Sequence, residues 1–195
     1  MQMNSTGLDG LNTLLTEQEL LRTRTIYISE GVNSAVAKRV VSSLLLLEAN
    51  GKGEPIHIYL NSPGGEVNSG FAIFDMIRFI TSEVRIITCG LCASIATVID
   101  VSVPKDKRYA TPNSKFLIHQ PLIGGTVRGQ ASDLEITARD IVKTREKINQ
   151  LLAVECGQEL SRVEKDTQRD YWMSAEEALE YGLISQIITS VNDIK

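Results

Sequence analysis

Along this chain, stretches rich in β-branched and aromatic residues alternate with stretches whose apolar residues recur at helical spacing, and no other feature narrows the fold as far. "TIYIS" (25–29), "PIHIYL" (55–60), "VRIITC" (84–89), "KFLIHQ" (115–120) and "ISQIIT" (184–189) read as strands. Asn33 can cap a helix that carries Val36, Val40, Leu44 and Leu47 on one face and stops near Gly51. "FAIFDMIRFI" (71–80) is helical and apolar almost all round, as a buried helix would be, and a further helix is expected from about Ala93 to Val103, ahead of Pro104. Such alternation implies a mostly parallel sheet covered on its faces, an α/β architecture. Chemistry in these folds belongs to loops at the carboxyl ends of the strands.

One segment does not fit inside a compact domain. From Ser132 to Cys156 there is no Gly or Pro, and Leu134, Ala138, Ile141, Ile148 and Leu152 recur at helical spacing until Gly157 supplies a stop. At about 1.5 Å per residue, roughly 25 residues reach about 37 Å, so part of this helix is expected to project and pack on another subunit. Residues 1–15 are polar and small and read as a flexible arm, followed by a single domain over 16–195. Thr16 with Glu19, and Ser174 with Glu177, form capping-box patterns that open short helices, the second closed by Gly182.

Composition removes whole classes of function. A net charge of −4 without a clustered basic face argues against nucleic acid as a partner. The apolar runs fall far short of the ~20 residues that a bilayer-spanning helix needs, and the N-terminus lacks the basic start and apolar stretch of a secretory signal, so no membrane is expected. Three cysteines, an odd number, fit a reducing compartment and a cytoplasmic protein. Cys89 and Cys92 form a C-x-x-C pair, but Cys156, His57 and His119 do not complete finger-like spacing, so no metal is expected. The pair reads as small core residues at a strand end.

Ser94 stands at a strand-to-helix junction, where a serine is ordinarily a helix cap. Its company changes that reading. His119 closes a strand just before a loop, which is where a base can meet a nucleophile. An acid must then fix the imidazole tautomer. Asp166 and Asp170 are both available, spacing does not choose between them, and an aromatic pair follows Asp170 that could bury it. "NSPGGEV" (61–67) supplies a glycine loop after a strand, with the Gly65 amide and that of Ile95 as candidate oxyanion donors and Gly64 and Val67 as candidate substrate contacts. The G-x-S-x-G elbow is absent, since Cys92 and Ala96 flank Ser94.

"NSPGGEVNSGFAIFDMIRFI", "GLCASIATV", "TPNSKFLIHQP", "GQASDLEITARDI" and "DTQRDYWMSAEEALEYGLI" together resemble the ClpP family, the proteolytic subunits of ATP-dependent Clp proteases, from about residue 20 to 190. The resemblance implies a ClpP/crotonase-like layered fold of repeated β-α units with a projecting handle at about 122–157. It implies a serine endopeptidase with Ser94 as nucleophile, His119 as base and Asp170 rather than Asp166 as orienting acid. Gly65 and Ile95 become its oxyanion donors, and Arg169 a contact between rings. It further implies a homo-oligomer of two stacked heptameric rings, with rings mixed with a second ClpP-like chain as the variant, that takes unfolded protein substrates. No cofactor is implied, because ATP is consumed by a separate Clp-family ATPase unfoldase. Leu91, Cys92 and Ile95 depart from the common family sequence, as do His57 and Thr111 on the expected unfoldase-docking face. The competing readings are a catalytically weak or regulatory ring subunit and a crotonase-type acyl-CoA hydratase or isomerase.

Overall fold

The structure, a computed structural model, describes residues 15–122 and 129–195. The expected arm therefore lies outside the described residues except for its last position, as does most of the loop "IGGTVRGQ" (123–130) of the expected handle. Residues 15–22 are helical (α1), so Thr16 lies within this helix instead of capping its start.

A seven-stranded sheet forms the frame. β1 (Thr25–Ile28), β2 (Ile56–Ser62), β3 (Val84–Ala93), β4 (Arg108–Ala110) and β7 (Gln186–Ile187) pair in parallel in that spatial order. β5 (Lys115–Ile118) runs parallel to the far half of β3, and β6 (Tyr171–Ser174) pairs antiparallel with β5. The mostly parallel α/β sheet read from the sequence is what the chain forms.

β3 explains the arrangement. Ile86 to Thr88 pair with β4, whereas Leu91 to Ala93 pair with β5. Gly90, with φ +103, marks the division; a Cβ there would lie 2.9 Å from the Asn61 side-chain oxygen, which instead accepts the Leu91 N–H at 3.0 Å. The strand does not end at Cys89, as expected, because its second half gains a new partner; it runs on to Ala93 and delivers Ser94 directly to its tip.

The helices follow their sequence signals. α2 (Ser34–Asn50) is capped by Asn33, whose side-chain oxygen accepts the N–H groups of Ala35 and Val36, and it buries Val36, Val40, Leu44 and Leu47. α3 (Val67–Phe79) packs between α2 and α4 (Ile95–Asp100). It buries only one face, including Ile73, Phe74 and Ile77, and leaves Phe79 exposed, so it is not the all-round buried helix its composition suggested. α4 ends at Asp100, short of the expected Val103, and a turn carries the chain to Pro104.

α5 (Ala131–Cys156) is the long helix, closed by Gly157 in the left-handed conformation at φ 68. Its buried residues, Ile148, Asn149, Leu152, Ala153 and Cys156, all lie in the last third, and Leu134 and Ile136 stand exposed. α6 (Leu160–Asp166) and α7 (Ala175–Tyr181) complete the chain; Ser174 and Glu177 form the expected capping box and Gly182 ends α7. "ISQIIT" pairs only at Gln186–Ile187, because β4 offers just three residues to pair with. Among the described residues no helix is long and apolar enough to cross a membrane.

Among the described residues the core holds one buried cation. Arg108 is fully buried and donates to the carbonyls of Val103 at 2.8 Å, Glu155 at 3.0 Å and Val101 at 3.3 Å, while also pairing with the Glu155 carboxylate. Glu155 takes Arg78 as well, so the end of α5 is tied to the turn after α4.

Candidate active site

Ser94 is one of two non-glycine residues with positive φ among those described, at φ 57 and ψ −127. That region is sparsely populated for a residue with a Cβ and costs on the order of 1–3 kcal/mol, so its surroundings must hold it. The Ser94 N–H donates to the Leu117 carbonyl at 2.8 Å, and the Ser94 carbonyl accepts from the Thr97 N–H at 3.0 Å and hydroxyl at 2.7 Å. The hydroxyl makes no cap to α4; it lies 2.8 Å from His119 Nε2.

The glycines absent from either side of Ser94 are supplied by an earlier segment of chain, the loop after β2 and the start of α3. A Cβ on Gly64 would lie 2.5 Å from the Ala93 carbonyl oxygen and 2.7 Å from Ser94 Cβ, and one on Gly70 would lie 2.2 Å from Ile95 Cγ1. The turn therefore stays tight without a G-x-S-x-G pattern.

His119 follows β5 directly and Asp170 precedes β6 directly. Nδ1 of the ring lies 3.0 Å from the Asp170 carboxylate. A carboxylate can only accept, so Nδ1 carries the hydrogen and Nε2 presents its lone pair to the serine hydroxyl. Gln120 fastens the arrangement from behind: its N–H donates to the Thr167 carbonyl at 2.7 Å and its side-chain amide to the Gln168 carbonyl at 2.9 Å. The Thr167 hydroxyl donates in turn to Asn149 of α5 at 2.9 Å. The aromatic pair does not bury the acid, because Asp170 is 61% exposed, Trp172 is exposed and Tyr171 turns onto the Tyr181 ring. Asp166 is elsewhere, accepting from the Tyr181 hydroxyl at 3.2 Å.

Two backbone amides without an acceptor among the described residues lie close to Ser94, those of Gly65 and Ile95. Ile95 is the first residue of α4, so its N–H has no intrahelical acceptor. Gly65, at φ +151, is bridged to Val32 through Val32 N–H to Gly64 carbonyl and Glu66 N–H to Val32 carbonyl, each 2.8 Å. Among the described residues neither the Gly65 nor the Ile95 amide donates to another group. Gly64 keeps the approach open, since a Cβ there would lie 3.1 Å from the Ile95 nitrogen. A narrow apolar pocket adjoins the serine, lined by Val67, Val98, Ile118, Ile148 and Leu152.

Other sequence candidates fall outside this cluster. Cys89, Cys92 and Cys156 are free; burial pushes the Cys89 thiol up, the Cys92 thiol well up and Cys156 to about 12, so none offers a thiolate near neutrality. No group of three or more metal-ligating side chains occurs among the described residues. His57 sits mid-strand opposite Arg85, its pKa lowered by burial and then by that arginine. Arg169 is exposed and makes no ion pair among the described residues. The strained φ of Ser94, the Gly70 clearance and the Gln120 clamp carry no local sequence signal and were not expected.

A family model described as Clp protease matches residues 10–191. The chain is 50% identical over 179 residues to ATP-dependent Clp protease proteolytic subunit 3 of Rhizobium johnstonii, an alignment covering 92% of this chain and 91% of that one. It is 46% identical over 177 residues to ATP-dependent Clp protease proteolytic subunit 2 of Treponema denticola, covering 91% and 88%. Among solved structures, a variant of ClpP1 from Listeria monocytogenes matches with a TM-score of 0.84 at 38% identity, over 92% of this chain and 99% of that one.

Proposed function

This chain belongs to the Clp protease family, and on that premise we propose that it is a serine endopeptidase, the proteolytic subunit of an ATP-dependent Clp protease, with Ser94, His119 and Asp170 as its catalytic triad. The observation that carries the reading is the serine hydroxyl: it forgoes the cap of α4 and lies in hydrogen-bonded series with the imidazole and the carboxylate.

The steps follow from the geometry. Ser94 Oγ attacks the scissile carbonyl carbon while its proton passes to His119 Nε2, and the carbonyl electron pair moves onto oxygen, facing the amides of Gly65 and Ile95. Collapse of that intermediate breaks the C–N bond, and His119 returns the proton to the departing amine. Water then cleaves the Ser94 ester by the same relay in reverse. Asp170 holds the imidazole in the productive tautomer and stabilises the imidazolium. Gly64 and Val67 would flank the bound substrate strand, beside the narrow cleft that adjoins Ser94.

Assembly belongs to the same proposal. The uncovered first two thirds of α5 support a handle by which two heptameric rings stack, with Arg169, unpaired within the described residues, at the ring contact. Unfolded protein chains would enter from a Clp-family ATPase, which alone consumes ATP, in the cytoplasm. A ring subunit without activity would have no use for a strained serine aligned on a histidine, and an acyl-CoA hydratase would not need the three residues together. The test is hydrolysis of a short fluorogenic peptide by the assembled protein. The proposal expects hydrolysis to vanish in Ser94→Ala; equal rates in the two proteins would refute it.

A further inference from the structure

Asp100, the last residue of α4, is completely buried. One carboxyl oxygen accepts the Thr88 hydroxyl at 3.3 Å, and the other has no hydrogen-bond partner among the described residues. A carboxylate held by one long hydrogen bond in a core is costly, and the carbonyl end of a helix disfavours negative charge further.

The charged and titratable groups facing it come from three elements. Cys92, from β3, is a neutral thiol whose own pKa Asp100 helps to raise. Arg108, from β4, is the one cation acting on it among the described residues, but its hydrogen bonds go to Val101, Val103 and Glu155, not to Asp100. Cys156, at the end of α5, is a second neutral thiol that feels the Asp100 charge, with Glu155 beside it already committed to Arg108 and Arg78. Nothing here donates a strong hydrogen bond to an ionised Asp100.

Its place gives this a consequence. α4 has six residues, begins at Ile95 and is buried throughout, and Asp100 packs it onto Thr88 and Cys92 of the very strand that delivers Ser94. Resting on the serine-peptidase reading above, we propose that Asp100 is a positioning residue: its neutral carboxyl lets α4 seat on β3, and ionisation unseats α4, so that Ser94 and the Ile95 amide lose alignment as pH rises. Burial pushes the Asp100 carboxyl up to about 7, against Arg108 and the Thr88 hydrogen bond, so this change falls near neutrality.

The experiment is the pH dependence of kcat and KM for a fluorogenic peptide with the assembled protein, Asp100→Asn and Thr88→Val. We expect wild-type kcat to fall at least about tenfold between about pH 7 and about pH 9 with KM little changed, since the neutral fraction drops about tenfold per pH unit above the pKa. Asp100→Asn should retain near-neutral activity and lose the alkaline limb. Thr88→Val, which removes the one donor favouring the carboxylate, should move that limb to higher pH. A wild type without the limb overturns the inference, as does the same limb in Asp100→Asn; should that variant fail to assemble, an unmoved limb in Thr88→Val does so. The two readings fail separately: hydrolysis that persists in Ser94→Ala sinks the serine mechanism, whereas hydrolysis lost in Ser94→Ala but with an unchanged pH profile in Asp100→Asn sinks only the role of Asp100.

Discussion

Ile118 and Tyr171 stand opposite each other at the end of the antiparallel pair β5–β6, and this register brings the next residue on one side, His119, to the preceding residue on the other, Asp170. The base and its acid are 51 residues apart in sequence, yet one ladder of backbone hydrogen bonds sets their spacing. Asp170→Asn keeps the shape but favours the wrong tautomer, so kcat should fall by about 10⁴ with KM little changed. Steady-state kinetics on assembled protein check this; a loss under about tenfold would remove Asp170 from the relay.

Gly70→Ala probes the turn without touching the triad. The new Cβ would fall 2.2 Å from Ile95 Cγ1 and 3.4 Å from its Cβ, and the closely buried Ile95 side chain passes that strain to the start of α4 and its amide. The variant should lose on the order of 10²-fold in kcat, comparable to deleting one oxyanion donor, while assembly by analytical ultracentrifugation stays normal. Unchanged turnover would mean that the Gly70 clearance does not hold the Ile95 amide in place.

Gln120→Ala removes the side-chain bond to the Gln168 carbonyl and frees the 167–170 turn. We expect the thermal midpoint to drop by at most a few degrees, in line with no more than about 1 kcal/mol for one exposed hydrogen bond. We also expect kcat to fall more than this loss of stability explains. Parallel melting curves and kinetics separate the two, and a variant that melts early but turns over normally would confine Gln120 to stability.

Asp100 should also be visible in stability alone. Its folded pKa, about 7, lies above the roughly 3.9 of an unfolded aspartate, so the folded state holds the proton more tightly. That contribution is complete below about pH 4, fades as pH climbs toward about 7 and is gone above it, amounting to about 4 kcal/mol at the upper limit. Urea unfolding from about pH 4 to about pH 8 should show the decline in wild type and a flatter profile in Asp100→Leu. Equal slopes in the two would show that Asp100 ionises without strain.

Much of this was legible because periodicity reports burial. Val36, Val40, Leu44 and Leu47 had to share a face, Asn33 had to cap it, and Gly157 had to stop a helix too long for its domain. Ser94 and His119 stood out because each sits where a strand hands over to a loop or helix. What stayed hidden depends on contacts between distant segments. No local pattern shows that β3 changes partners at Gly90, that Gly64 and Gly70 give Ser94 its clearance, or that Asp100 ends in the core with an unpaired oxygen. The misreadings share that cause: α3 looked buried all round because Phe79 is apolar, and Asp170 looked buried because aromatics follow it, but both face outward in this chain.

The central claim is that the Ser94 oxygen is activated by the His119–Asp170 pair, and the most direct measurement is covalent labelling of the assembled protein with a fluorophosphonate, the adduct located by peptide mass. The account predicts one adduct, on Ser94, formed quickly by wild type, slowly by His119→Ala and not at all by Ser94→Ala. An adduct on another residue, or equal labelling rates with and without His119, would contradict it.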